Sequence, residues 1–195
     1  MTTSYFDSKA DIWDEKIAEK DSDKLKNMAD NLDIKPGSNV LDVGTGTGIF
    51  VPFLLKKIGP NGRLVCLDSA EKMLEKAKEK NFKGNIEYSC SDIHSTDFED
   101  EVFDAVVCYS SFPHFHDKPR ALKEIKRVLK KGGRFFICHT SSRAAINEIH
   151  KHLPELSTDL IPDKGEMLGL LSSAGFEEIE LHDEASSYFA KAEKL

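Results

Sequence analysis

The stretch Val40-Leu41-Asp42-Val43-Gly44-Thr45-Gly46-Thr47-Gly48 constrains this chain more than any other. Val40, Leu41 and Val43 are strand formers with one acid among them. Three glycines follow at alternate positions. Glycine permits positive φ and lets backbone approach a ligand with no Cβ in the way. A tight turn needs one such residue, not three. Thr45 and Thr47 can cap a following helix, whose first N–H groups stay open to a negative group. The segment therefore reads as a buried strand, a glycine turn and a helix, the entrance of a nucleotide-type site. It does not meet the pyrophosphate fingerprint Gly-x-Gly-x-x-Gly. Gly48 comes one residue early, and Ile49 stands where that fingerprint wants Gly or Ala. Asp42, two residues before Gly44, would repel a diphosphate and suits a ligand carrying an amine and a sulfonium.

The pattern around the turn sets the fold class. Arg63 to Asp68, Asn85 to Cys90, Val102 to Cys108 and Arg134 to Cys138 read as further strands. Between them Phe50/Leu54/Leu55/Ile58, Ala70/Met73/Leu74/Ala77 and Ala121/Leu122/Ile125/Val128/Leu129 recur at helical spacing. Lys130-Lys131-Gly132-Gly133 closes the last of these with cations at the negative end of the dipole and glycine beyond. Strands alternating with helices predict βαβ units and a mostly parallel sheet. The tail breaks the alternation. Asp163 caps a helix carrying Met167, Leu168, Leu170, Leu171 and Ala174. Phe176 to His182 and Tyr188 to Ala192 are then joined by a polar link too short for a parallel crossover, which makes them antiparallel neighbours.

At 195 residues the chain fits one domain with a sizeable core. It divides into a helical lid (1–34), a cofactor-binding core (35–138), an acceptor-side lid (139–162) and a last helix with a strand hairpin (163–195). Residues 1–10 are expected to be loose, and Ile12, Trp13 and Ile17 suggest a first short helix. The formal net charge of −7 argues against a nucleic-acid or membrane-surface role. No apolar run approaches the ~18 residues of a spanning helix. The 4 cysteines form no Cys-x-x-Cys pair, so no zinc knuckle is expected, and reduced thiols fit the cytoplasm.

In an open α/β sheet the ligand lies beyond the carboxyl ends of the strands, at the switch point. Asp68 ends the second strand, 20 residues past Gly48. An acid at that spacing can take both ribose hydroxyls of an adenosine-type ligand, or it can cap a helix. Ser69 follows it, and Met73 one turn on is placed to touch an adenine. Asp92-Ile93 follows the third strand and Tyr109 ends the fourth.

The Asp-x-Gly-x-Gly-x-Gly pattern of Asp42 to Gly48 resembles the first motif of class I S-adenosylmethionine-dependent methyltransferases. Asp92-Ile93 resembles that family's adenine clamp. Glu99 to Val107 resembles its acidic turn and fourth strand, and Arg127 to Arg134 its next helix-turn-strand. Tyr5-Phe6-Asp7 with Ile12-Trp13-Asp14 resembles the lid of small-molecule methyltransferases. The matches run in order from Asp42 to Ile137, and the branch they suggest includes the methyltransferases of quinone biosynthesis. The resemblance implies a Rossmann-like, seven-stranded, mostly parallel sheet with one antiparallel strand in the C-terminal hairpin and helices on both faces. It implies S-adenosylmethionine as cofactor, held by Asp42, Gly44, Thr45, Gly46, Gly48, Asp68, Ser69, Met73, Asp92, Ile93 and Tyr109.

On the acceptor side, Tyr109-Ser110-Ser111-Phe112-Pro113 stands where some nucleic-acid and glutamine N-methyltransferases carry Asn/Asp-Pro-Pro-Tyr, which counts against amino acceptors of that class. Histidines mark this edge. His114 and His116 follow the fourth strand and His139 the fifth. Arg143, Asn147 and His150 share a face at i, i+4, i+7. His139 and His116 are the candidate proton-transfer groups; His114, Arg143, Asn147 and His150 are candidate acceptor-binding groups. No metal is assigned. His94, His152 and His182 are read as surface or capping residues. The expected partner is a small-molecule acceptor, not nucleic acid and not an inserted membrane. Two other readings stay open: a nicotinamide oxidoreductase, disfavoured by the glycine spacing and by Asp42, and a non-catalytic protein binding S-adenosylmethionine or a metal.

Overall fold

The computed structural model describes residues 2–16 and 21–195; Ile17 lies outside them. In chain order the elements are α1 (Thr2–Lys9), α2 (Trp13–Lys16), α3 (Ser22–Asn31), β1 (Asn39–Val43), α4 (Val51–Ile58), β2 (Arg63–Asp68), α5 (Glu71–Glu79), β3 (Ile86–Cys90), β4 (Phe103–Tyr109), α6 (Lys118–Val128), β5 (Leu129–His139), α7 (Arg143–Lys151), α8 (Lys164–Ser173), β6 (Glu177–Glu184) and β7 (Ser187–Lys194). The strands form one seven-stranded sheet in the order β3-β2-β1-β4-β5-β7-β6. β1 pairs in parallel with β2 and β4, and β4 with β5, whereas β7 runs antiparallel to both β5 and β6. The expected reversed hairpin strand is β7.

The inner strands are apolar on both faces because both faces are covered. Alternate residues feed two cores. Leu41, Val43, Val106, Phe135 and Ile137 pack with α6 and α8 residues on one face. Val40, Leu64, Val107 and Phe136 pack with α3 and α4 residues on the other. The order reverses between β1 and β4, which puts the switch point over their carboxyl ends. Among the described residues no helix is long and apolar enough to cross a membrane.

Two elements differ from the sequence reading. Thr2–Lys9 is helical, not loose. It carries no strong apolar stripe; it is held by docking on α5, where Phe6, Ala10 and Trp13 cluster with Ala70 and Met73, and where the Lys72 N–H donates to Asp7 at 3.0 Å. β5 begins at Leu129, because Leu129 pairs with Phe103 as soon as α6 ends, before a register shift.

Candidate active site

A cavity of about 970 Å³ opens over the carboxyl ends of β1, β2 and β4. Its floor is the glycine turn. Gly44, Gly46 and Gly48 all have positive φ (71°, 57° and 83°), but for different neighbours. A Cβ on Gly44 would stand 2.3 Å from the Ser111 Cβ, and one on Gly48 would stand 2.8 Å from the Phe82 ring. Those two glycines let protein pack on protein. A Cβ on Gly46 would meet nothing within 4 Å, so the space it leaves belongs to the cavity.

Asp68 sits beside that space. Its Oδ2 accepts from the Gly46 N–H at 2.7 Å and its Oδ1 from the Ala70 N–H at 2.9 Å. One carboxylate thus fixes the turn to the start of α5 and keeps acceptor capacity for a ligand hydroxyl. Burial pushes its carboxyl up, opposed by the Ala70 and Gly46 amides. Asp42 lies deeper, at 2% exposure. Its Oδ2 accepts from the Thr45 hydroxyl at 2.9 Å. Burial raises its carboxyl to about 7, offset by the Thr45 bond and reinforced by the charge of Asp68.

The wall past β3 carries Asp92, Ile93 and His94. The Asp92 Oδ1 accepts from the His94 N–H at 2.9 Å and also pairs with His94 Nδ1. Burial works against the Asp92 charge, but these hydrogen bonds from His94 hold its carboxyl below the usual range. The His94 Nε2 accepts from the Asp117 N–H at 3.2 Å, which ties the wall to the α6 cap.

Past β4 the chain passes through Ser110, at a left-handed φ of 52°, into a short turn carrying His114 and His116. Lys118 locks this loop: its Nζ donates to the Pro113 and Phe115 carbonyls at 2.9 and 3.1 Å. Two covers meet over the cavity. One is α1 with Trp13; the other is the segment from Pro154 to Asp159 that follows α7. Phe6 packs edge-on against Trp13 at 5.3 Å and against His114 at 4.9 Å. Thr47 bonds Asp14, and Asp14 pairs with Lys80 at 2.6 Å, which fastens the first cover to the floor.

The comparisons with known proteins agree with this geometry. A methyltransferase-domain family model matches residues 41–137. The ubiquinone/menaquinone biosynthesis C-methyltransferase of Klebsiella pneumoniae is 26% identical over 178 residues, covering 77% of this chain and 70% of that protein. The demethylmenaquinone methyltransferase of Thermotoga maritima is 43% identical over 106 residues, covering 54% and 44%. A Haloferax volcanii methyltransferase solved in complex with the Trm112 methyltransferase activator superposes with a TM-score of 0.82 at 19% identity, covering 96% of both chains. The chain belongs to the class I S-adenosylmethionine-dependent methyltransferases. It spans between 31% and 70% of the length of the curated relatives it matches.

The residues present fit the methyltransferase cofactor. The open position at Gly46 admits a ligand against the turn, and Asp68 offers two acceptor oxygens beside it. Of the expected cofactor residues, Gly44, Thr45, Gly46, Asp68, Ser69, Met73, Asp92, Ile93 and Tyr109 line the cavity. Asp42 and Gly48 do not; they stand behind the turn and shape it.

The acceptor-side expectations divide. His114 and His116 line the cavity. His139 does not; it is buried at 1% exposure and packs edge-on against Tyr188 of β7 at 6.2 Å. Arg143 is drawn away to Asp183 of β6 at 3.3 Å. Asn147 is a clamp, donating to the Ile161 carbonyl at 2.9 Å and accepting its N–H at 2.8 Å. His150 lies behind the wall, where its Nδ1 bonds the Asp159 carbonyl. These three lie along α7 and pack against the lid segment and β6. His94 was set aside as a surface or capping residue. It lines the cavity, is 7% exposed and is fully bonded. Asp159 carries no local motif and only the fold brings it to His114.

Proposed function

We propose that this methyltransferase transfers the methyl group of S-adenosylmethionine to a small-molecule acceptor. The observation that carries the reading is the pairing of an open glycine position at Gly46 with the Asp68 carboxylate on the cavity floor. When bound, the cofactor supplies a methyl group already activated by its positive sulfur. Asp68 would hold the ribose hydroxyls with the acceptor capacity that its backbone amide donors leave unused. Met73 and Ile93 would give the adenine apolar contact, and Asp92, held as an anion by His94, would take its amine. Proximity and alignment would then supply much of the rate, with α1 and the Pro154–Asp159 segment walling the cavity on two sides.

A cavity closed on two sides, on a chain of net charge −7, supports a small molecule over a nucleic acid as acceptor. The quinone-pathway names of the relatives point the same way. Isothermal titration tests the cofactor reading. S-adenosylmethionine and S-adenosylhomocysteine are expected to bind, and NAD is not at comparable concentration. Preferential binding of NAD would overturn it.

A further inference from the structure

We propose that His114, oriented by Asp159, takes the proton of the acceptor's nucleophilic atom, and that this methyltransferase therefore serves acceptors that arrive protonated at that atom. The proposal rests on the methyl-transfer reading above. Three histidines line the cavity, and their hydrogen bonds separate them. A carboxylate only accepts, so a ring nitrogen facing one carries the hydrogen. In His94 that nitrogen is Nδ1, toward Asp92, and Nε2 is spent on the Asp117 N–H at 3.2 Å. His94 has no lone pair left to take a proton. Its bonding also argues against a metal at Asp92, His94 and His116, although their ligand atoms lie within 4.8 Å of one another. A cation on Nδ1 would push the hydrogen to Nε2, against the Asp117 N–H. His116 is exposed, and its ring lies tilted against that of His94 with centroids 3.9 Å apart. Among the described residues no hydrogen bond fixes its ring.

His114 differs from both. Its Nδ1 lies 2.9 Å from the Asp159 Oδ2, with both side chains largely shielded at 15% and 16% exposure. The hydrogen is on Nδ1, and Nε2 carries the lone pair. Among the described residues nothing bonds Nε2. The ring is held by Phe6 from α1 at 4.9 Å and by His150 from α7 at 5.0 Å. Lys118 of α6 fixes the loop beneath it. Burial lowers its pKa, and His150 and His139 add to this against the raising effect of Asp159. His114 is thus neutral at physiological pH and ready to accept. In the step, the X–H proton passes to Nε2, and the electron pair of that bond stays on X, where it becomes the nucleophile. The imidazolium rests on the Asp159 carboxylate until its proton leaves to water. Asp159 is a positioning residue; His114 is the proton acceptor.

The test uses the full chain, three variants and two probes. S-adenosylhomocysteine should bind the wild type, His114→Gln and Asp159→Asn with equal affinity by calorimetry. Nitrogen-15 NMR should show the Nδ1–H form of His114 in the wild type. Its pKa should fall in Asp159→Asn and recover in part in Asp159→Glu. With S-adenosylmethionine at pH 9, phenol is largely protonated and 4-nitrophenol largely ionised. His114→Gln should lose about a hundredfold or more in kcat on phenol, the general-base range, and less than tenfold on 4-nitrophenol. Equal losses on both probes, no loss on phenol, a His114 pKa indifferent to Asp159, or a tenfold loss of cofactor affinity in His114→Gln would overturn the proposal. Cofactor binding by the wild type without turnover of either phenol overturns the proposal alone. No cofactor binding by the wild type sinks the methyl-transfer reading and the proposal with it.

Discussion

Asp42 is a carboxyl group almost wholly removed from water, and its hydrogen bond from Thr45 only partly compensates. Its folded pKa of about 7 lies above the unfolded value of 3.8. The folded state therefore binds more protons between those values, and stability from this group falls as pH rises through that window. The slope approaches 1.4 kcal/mol per pH unit, one proton's worth. Asp42→Asn should remove that slope and melt higher than the wild type at pH 8. Parallel melting curves from pH 4 to 8 would show that Asp42 does not titrate there. Asp68 makes a second prediction at this scale. Its loss removes charge-assisted hydrogen bonds worth ~1.5–3 kcal/mol each. With the bonds to two ribose hydroxyls lost, Asp68→Ala should bind cofactor roughly two to four decades more weakly, since about 1.4 kcal/mol is a factor of ten. It should also melt lower, because Gly46 and Ala70 lose their acceptor. A variant that melts lower yet binds normally would leave Asp68 as a turn clamp only.

The lid elements carry the third prediction. Trp13 is the sole tryptophan, and it packs in the cluster that joins α1 to α5 at the cavity wall. Its emission should change when S-adenosylhomocysteine binds, and Trp13→Phe with Phe6→Ala should speed cofactor release about tenfold without abolishing a cooperative melt. Unchanged emission and release would place the lid off the ligand path. What was legible beforehand follows the reach of the interactions. The central strands were readable because burial on both faces demands apolar residues in sequence. The reversal of β7 was readable because a short link permits nothing else. α1 was not, since its stability comes from contacts with Met73 and the α5 N-terminus, more than sixty residues away. Most residues named for the cofactor line the cavity because they come from successive strand ends. The acceptor half was misjudged for Arg143, Asn147 and His150, because a helical face says which residues share a side but not what that side meets.

For the whole molecule, a cofactor bound as proposed would span β1, β2 and the covers, so it should stabilise the fold as a unit. At a hundredfold excess over Kd the gain is about 2.7 kcal/mol. For a domain of this length that corresponds to a rise of roughly 5–10 °C in Tm with S-adenosylhomocysteine. A differential scanning calorimetry trace with no shift at saturation would contradict coupling between site and fold. The cavity wall also has two origins. The floor comes from strand ends woven into the sheet, while the covers come from the first helix and from the stretch between α7 and α8. The two sides thus answer to separate pressures. Exchange of the Pro154–Asp159 segment between homologous proteins is expected to retarget the molecule to new acceptors with the glycine-turn floor unaltered, a modular division along which diversification of such enzymes can run.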